Sequence, residues 1–481
     1  MGKKIPTGGK ILNIAALSYL SGFFIILFFG QYQLYYGFGW ILLSLGFLAL
    51  LHSLSSRKAF VTSISGKYNR NTILLLLFVS SLLVRLIFIS KNPHLSLDVY
   101  GYNLSANLLH SAQPPFTGSR GFAYAPLSYF FFTLVYAVSP SIYALKLFFI
   151  LVDSLIPLAL FFTAREFLGE TQSMVASIAY VINPLSIAEV GWSGHCDSLP
   201  SLLLVVSFFY LLKKRYYLSC LFFSVATMTK WYPLFLLPIY LSVVYKGKGL
   251  RASLSFSLVF LFIFLLCFSL LTVWFPTEFP LALKAFLKSG GNVSLSRSIS
   301  QLIPRVVGLI GFNLPNFPVV ISYLVYCYAI SVSLAYAVKI GFKKFAYSSV
   351  ILLFSIQACT SIFLNLGGLF LQYGEVPPLQ RLYQMFFSIL VLVPIYLLFK
   401  HIRHFPRKDT LSLDESISLV ILLVIIGQPA FAPWYFIWAL PFLLSLSERR
   451  ISFYWVMMLL FSQPTAYQSI YNHFTSFMPG L

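Results

Sequence analysis

Apolar residues in this chain come in long runs rather than in alternation. The stretches 11–30, 39–54, 72–90, 141–164 and 254–275 are each long enough to cross a hydrocarbon layer of roughly 30 Å at about 1.5 Å per residue. Further runs near 318–338, 347–365, 383–399, 416–432, 434–447 and 451–468 predict more spans of the same kind. Every backbone N–H and C=O inside a bilayer has to be paired within the protein, so runs without strand-like alternation predict helices and not a barrel. The segments 172–188, 198–212, 216–229 and 232–245 are shorter, and several carry proline. They predict broken or half-depth helices beside a cavity. The expected fold is therefore all-α, a polytopic transmembrane helix bundle of about 13–15 segments with short amphipathic helices in its outer-face loops. It divides into two N-terminal helices (1–71), a module at 72–251 and a C-terminal module at 252–481.

Composition strengthens this picture. With 59% apolar and 9% charged residues and a mean hydropathy of +0.86, the chain cannot cover a soluble globule. The net charge of +21 would fit nucleic acid, but the cations recur in short clusters between apolar runs, such as Lys213-Lys214-Arg215 and Lys246 to Arg251. That is the positive-inside pattern. A cytoplasmic N-terminus puts about two thirds of the 33 lysines and arginines on the cytoplasmic side. No nucleic-acid partner is expected, and membrane lipids are. The basic start followed by a long apolar run reads as a signal anchor. The five cysteines show no paired spacing.

This topology leaves three loops on the outer side, 91–140, 189–198 and 276–317. Asp98 is the one acidic residue of the first. A carboxylate among interfacial aromatics can be partly desolvated and suited to general-base work, against the alternative of a helix cap. The second loop holds His195 and Asp197, ionisable residues that are costly unless they face a cavity; capping of a helix starting at Ser198 is the alternative for Asp197. Together with Asp98 they could make a set for a divalent ion but satisfy no metal-ligand spacing, so no cofactor is expected. Lys230 lies between two apolar half-spans and reads either as a snorkelling lysine or as a phosphate contact. The outer cations Arg297 and Arg305, with Lys284, Lys288 and Arg381, could serve the same end. Two sequons, at Asn103 and Asn292, fall on this side as well.

The order of the outer-face motifs resembles the GT-C superfamily of integral-membrane glycosyltransferases, most closely its polyprenol-phosphate-mannose-dependent α-mannosyltransferases. The resemblance is carried by Asp98-x-x-x-Tyr102, Tyr124-Ala125-Pro126-Leu127, Asp197 opening a span, Lys230-x-x-Pro233, Asn292-Val293-Ser294-Leu295, and Pro433-Trp434-Tyr435 with Trp438 and Pro441. It covers roughly residues 72–450. Where family members carry a second acidic residue near the catalytic Asp, this chain has Val99 and Tyr100.

The resemblance implies an inverting transfer of a hexose, mannose by the closest likeness, from a polyprenyl-phosphate-linked donor to a lipid or glycan acceptor. Asp98 would be the base, and Lys230, Arg297 and Arg305 would bind the donor phosphate. Tyr102, Tyr124, His195, Asp197, Asn292, Trp434 and Tyr435 would line the substrate cavity. The protein would sit in the plasma membrane or endoplasmic reticulum with its active site on the non-cytoplasmic face. A transporter or flippase of lipid-linked sugars is the alternative, but no counterpart of the Asp98, His195 and Lys230 group appears in the second half.

Overall fold

The computed structural model describes residues 15–25, 42–43, 45–47, 49–50, 69–89, 97–115, 124–278, 417, 421 and 436–444. The spans expected between 318 and 399 and at 451–468, most of the 276–317 loop, and Asn292, Arg297, Arg305, Trp434 and Tyr435 lie outside these residues. Every regular element among the described residues is helical: α1 (Ala15–Ile25), α2 (Arg70–Leu86), α3 (Leu97–His110), α4 (Pro126–Val138), α5 (Ile142–Leu168), α6 (Glu170–Val181), α7 (Ser198–Leu212), α8 (Tyr216–Thr229), α9 (Leu237–Trp274) and α10 (Phe436–Leu444). Three helical stretches, Ile142–Leu168, Glu170–Trp192 and Tyr232–Trp274, are long and apolar enough to cross a membrane. The expectation of an all-α membrane protein holds.

Helix α9 is two limbs. At Gly249 the backbone takes φ +79°, a left-handed value that glycine reaches at no steric cost. The Tyr240 and Phe256 rings then lie 6.2 Å apart, and Ser253 Oγ donates to the Leu241 carbonyl at 3.4 Å. In a straight helix residues twelve apart would be separated by about 18 Å, so the chain folds back on itself here. On the second limb Phe256, Phe260, Cys267 and Leu271 are buried, while Leu254, Leu258, Leu261 and Phe262 are exposed. That exposed stripe is the kind of surface lipid covers.

The proline breaks fall where the sequence placed them. After α6 the helix stops, Asn183 accepts a hydrogen bond from Ser186 N, and Pro184 opens a new turn. A π-helical turn follows over Ile187–Trp192. Pro233 begins a short 3-10 turn, Tyr232–Leu236. In the loop between α2 and α4, α3 is amphipathic: Val99, Tyr102, Ala106 and Leu109 are buried at helical spacing and Leu104 is exposed. Tyr102 stacks on Phe132 of α4 at 4.7 Å and meets Phe149 of α5 edge-on at 5.8 Å, which fastens the loop to the spans.

Charged residues mark the two ends of the bundle. At one end Lys213 pairs with Glu166 at 2.7 Å, and Lys248 lies over the Tyr216 ring at 5.8 Å. The opposite end carries Asp98, Glu189, His195, Asp197 and Lys230.

Between these ends lies one ion pair sealed from solvent. Arg85 Nε donates to Asp153 Oδ2, and both side chains are fully buried. The remaining guanidinium N–H groups reach Ser81 Oγ (2.8 Å), the Ser81, Val181 and Tyr180 carbonyls (3.0, 3.2 and 3.3 Å) and Ser186 Oγ (2.8 Å). Tyr180 and Ser186 hydroxyls donate to Asp153 at 2.7 and 2.6 Å. Gly191 lets the π turn press against α2, since a Cβ there would lie 3.2 Å from the Arg85 carbonyl oxygen. The network ties α2, α5, α6 and the broken segment after it. Removing one partner strands a buried charge, at a cost of about 3–5 kcal/mol. Arg85→Met should therefore lower the unfolding midpoint of the detergent-solubilised protein sharply, and Arg85→Met/Asp153→Leu should recover part of the loss. Losses that simply add in the double variant would show that the two side chains do not act as a pair.

Candidate functional site

The end of the bundle that carries the acidic side chains is built by the N-terminus of α3, the turn between the π segment and α7, and the C-terminus of α8. The π turn sets the geometry of the 193–197 loop. Its wider spacing closes with Ser193 N donating to the Ala188 carbonyl at 2.9 Å, Gly194 N to Val190 at 3.1 Å and His195 N to Glu189 at 2.9 Å. Gly194 takes φ +75° with Lys146 and Val99 packed against it; a Cβ there would lie 2.7 Å from Lys146 Cγ and 2.9 Å from Val99 Cγ2. Lys146, buried along this contact, donates to the Ile89 carbonyl at 3.0 Å. The loop is thereby pinned to α3 and α5, and its side chains are aimed by backbone they cannot move.

Two polar groups result. In the first, His195 stands between two carboxyl groups, with Nε2 3.3 Å from Asp98 Oδ2 and Nδ1 3.2 Å from Glu189 Oε2. Burial pushes the His195 imidazole below its ordinary value, outweighing the opposite pull of Asp197 and Asp98. That favours the neutral ring, and burial likewise pushes the Glu189 carboxyl beside it up to about 8.

In the second group, Lys230 Nζ and Trp438 Nε1 both donate to Asp197 Oδ1. Asp197 is fully buried, and its Oδ2 has no hydrogen-bond partner among the described residues. The Lys230 ammonium also lies over two rings, 5.0 Å from Trp438 and 5.9 Å from Tyr124. Tyr232 stacks on Trp438 at 4.3 Å with the two rings nearly parallel. Tyr124 meets Tyr102 edge-on at 5.2 Å.

The structure decides between several of the alternatives left by the sequence. Asp98 is in the first turn of α3 and turns its side chain to His195. Asp197 does occupy the N-cap position of α7, yet its side chain caps nothing and goes to Lys230 and Trp438. Lys230 does not snorkel to an exposed position; its side chain is 13% exposed and held by Asp197. Tyr102 is a packing residue of the loop, with its hydroxyl pushed well above the ordinary tyrosine value by burial. Among the described residues no three His, Cys, Asp or Glu side chains converge in a way that could hold a metal ion.

Glu189, Lys146 and Trp438 belong to the site without a sequence pattern that marks them as such. Glu189 reads as one more polar residue at the end of a span, and Lys146 as a basic residue at a span terminus. Trp438 lies 241 positions from Asp197 in the chain, and its presence in the C-terminal motif was the one available signal.

Residues 71–279 match the family model described as PIG-U, a GPI transamidase subunit. The match covers less than half of the chain and takes in every element of the site except α10. No curated protein matches the chain. PIG-U is a multi-pass membrane family of the endoplasmic reticulum, related to GT-C-like folds.

The GT-C resemblance is therefore right about the membrane architecture and wrong about the reaction. The family works in a complex that attaches proteins to GPI anchors, which is neither hexosyl transfer nor flipping of a lipid-linked sugar. Three expectations fall with it: the mannosyltransferase activity, the flippase alternative, and the polyprenyl-phosphate sugar as partner. The physical reason is that the motifs are short and mark the span ends and the polar layer between them. Such a layer follows from the helix arrangement and does not specify a leaving group.

Two outcomes test this geometry. Gly194→Ala should destabilise the protein by about 1–3 kcal/mol, because it adds a clash to a left-handed backbone. Gly169→Ala has a similar φ of +82° and open space around it, so it should cost less; equal losses would discount the packing of Lys146 and Val99. The lowered His195 value carries a pH signature. Between about pH 6.5 and that lowered value the unfolded chain binds a proton that the native site resists, so the stability contributed by this group falls as pH falls through this window. Glu189, pushed up to about 8 by burial, works in the opposite direction over the same range, so the His195 share is read as a difference: on acidification from pH 7.5 to 5, the thermal midpoint of His195→Gln should fall less, or rise more, than that of the wild type.

Proposed function

We propose that this chain is a multi-pass subunit of a GPI-transamidase-type membrane complex, and that its polar pocket holds a lipid-linked headgroup beside a partner that performs the acyl transfer. The observation that carries the reading is the match to the transamidase subunit over the stretch that builds the pocket. Chemistry supports a partner. Transamidation needs a nucleophile that attacks an amide carbonyl and then yields the acyl group to a second amine. Of the cysteines among the described residues, Cys196 lies nearest the pocket. It is buried, with its thiol pushed up to about 12, chiefly by burial, and a thiol held protonated is a poor nucleophile. Cys220 and Cys267 are buried within helices.

In this reading Asp98, His195, Asp197 and Lys230 bind the headgroup, and Tyr102 and Tyr124 shape the wall beside it. Asn292, Arg297, Arg305, Trp434 and Tyr435 remain candidates for the same cavity. The N-terminus is cytoplasmic and the pocket faces the other side of the membrane.

The tagged full-length chain, extracted from its native membrane in mild detergent, should purify with stoichiometric protein partners. That complex should transfer a peptide to a glycolipid amine. Depletion of the chain should abolish the transfer. A chain that purifies alone while still restoring function to depleted cells would refute the proposal.

A further inference from the structure

We infer that the end of the bundle opposite the pocket is a docking surface for anionic phospholipid headgroups, built from the cations of two adjoining turns. The surface lies outside the pocket and is independent of the chain's assembly with partners.

Helix packing brings the turns together. α7 leaves the pocket at Ser198 and α8 returns to it at Thr229, so the turn between them, Lys213-Lys214-Arg215, lies at the far end, about 20 Å along the helix. The elbow of α9 at Gly249 reaches the same end and carries Lys246, Lys248 and Arg251. Tyr216 joins the two. Its ring lies 5.8 Å from the Lys248 ammonium, and its hydroxyl abuts Gly247, where a Cβ would overlap it. All six cationic side chains are exposed.

Acidic side chains do not neutralise this cluster. Among the described residues this end holds Glu166 and Glu170, which pair with Lys213 at 2.7 Å and Arg165 at 4.0 Å. Lys214, Arg215, Lys248 and Arg251 have no acidic partner among the described residues. Lys214 also stands at φ +57°, a left-handed value that glycine takes at no steric cost and other residues take at a penalty. A cation is present where the backbone alone would favour glycine.

The surroundings of the cations select lipid over a soluble partner. Leu250 and Leu254 flank Arg251 at the head of the exposed apolar stripe on the second limb of α9. The headgroups of a bilayer whose tails cover that stripe meet Arg251 and its neighbours directly. Tyr217 and Tyr245, 68% and 56% exposed, border the same cations, and tyrosine is enriched at the membrane–water interface. A nucleic acid or an acidic protein would match the charge without covering this apolar border.

The test uses the purified full-length chain in detergent, titrated with phosphatidylglycerol and phosphatidylcholine of identical tails, with bound lipid read by native mass spectrometry. Phosphatidylglycerol should be held at least about tenfold more tightly, since each cation at an anionic surface contributes roughly fivefold. Raising ammonium acetate from about 0.1 M to about 0.5 M should shrink that preference. Lys214→Gly relieves the left-handed backbone, so it should keep or raise the unfolding midpoint and yet weaken phosphatidylglycerol binding by about threefold to fivefold. Adding Lys248→Gln and Arg251→Gln, both at exposed positions, should remove most of the remaining preference. Equal retention of the two lipids, or a preference that survives all three substitutions, would overturn the inference. So would displacement of the lipid by poly-glutamate at constant ionic strength, which would assign the patch to an acidic protein segment.

Discussion

The arrangement of helices depends on a charge that has nowhere else to go. A guanidinium at the middle of an apolar bundle cannot be solvated by lipid, so Arg85 is tolerated only because Asp153 neutralises it and carbonyls and hydroxyls from neighbouring segments take its remaining N–H groups. The ion pair is weak evidence for net stability. It is strong evidence for a single arrangement, because no sliding of α2 against α5 keeps these partners together. Two of those partners, Tyr180 and Ser186, flank the break at Asn183 and Pro184, so the network also fixes the place where the helix is interrupted.

From that break the path to the pocket is short. The π turn presses on α2 through Gly191, and the chain leaves it through a left-handed Gly194 that fits only because it has no Cβ. His195 and Asp197 follow at once, each looking to a different side. His195 takes Asp98 and Glu189, and Asp197 takes Lys230 and Trp438. The pocket is thus a consequence of how the spans are broken, and its precision comes from packed backbone and not from the polar contacts alone.

The likeness to a transamidase subunit and the earlier likeness to a glycosyltransferase are compatible at this level. Both describe a membrane bundle with a polar layer at one end of its helices. What the layer does is set by which groups remain unpaired within it. Here one such group is the fully buried Oδ2 of Asp197, which has no hydrogen-bond partner among the described residues.

The sequence by itself determined the fold class, the proline breaks and the amphipathic helix in the first loop, because each is written in local spacing: run length, a missing N–H, and apolar positions three and four apart. It also marked Asp98, His195, Asp197 and Lys230, since ionisable side chains at span ends are too costly to be placed without a purpose. It could not decide what these residues touch. Whether Asp197 caps its helix or binds a lysine depends on where α8 ends. Whether Arg85 and Asp153 form a pair depends on the facing of two spans, and Trp438 reaches the site across 241 positions of chain. Those outcomes are set by contacts between segments distant in sequence, which follow from packing the whole bundle at once. Only the tertiary structure contains them.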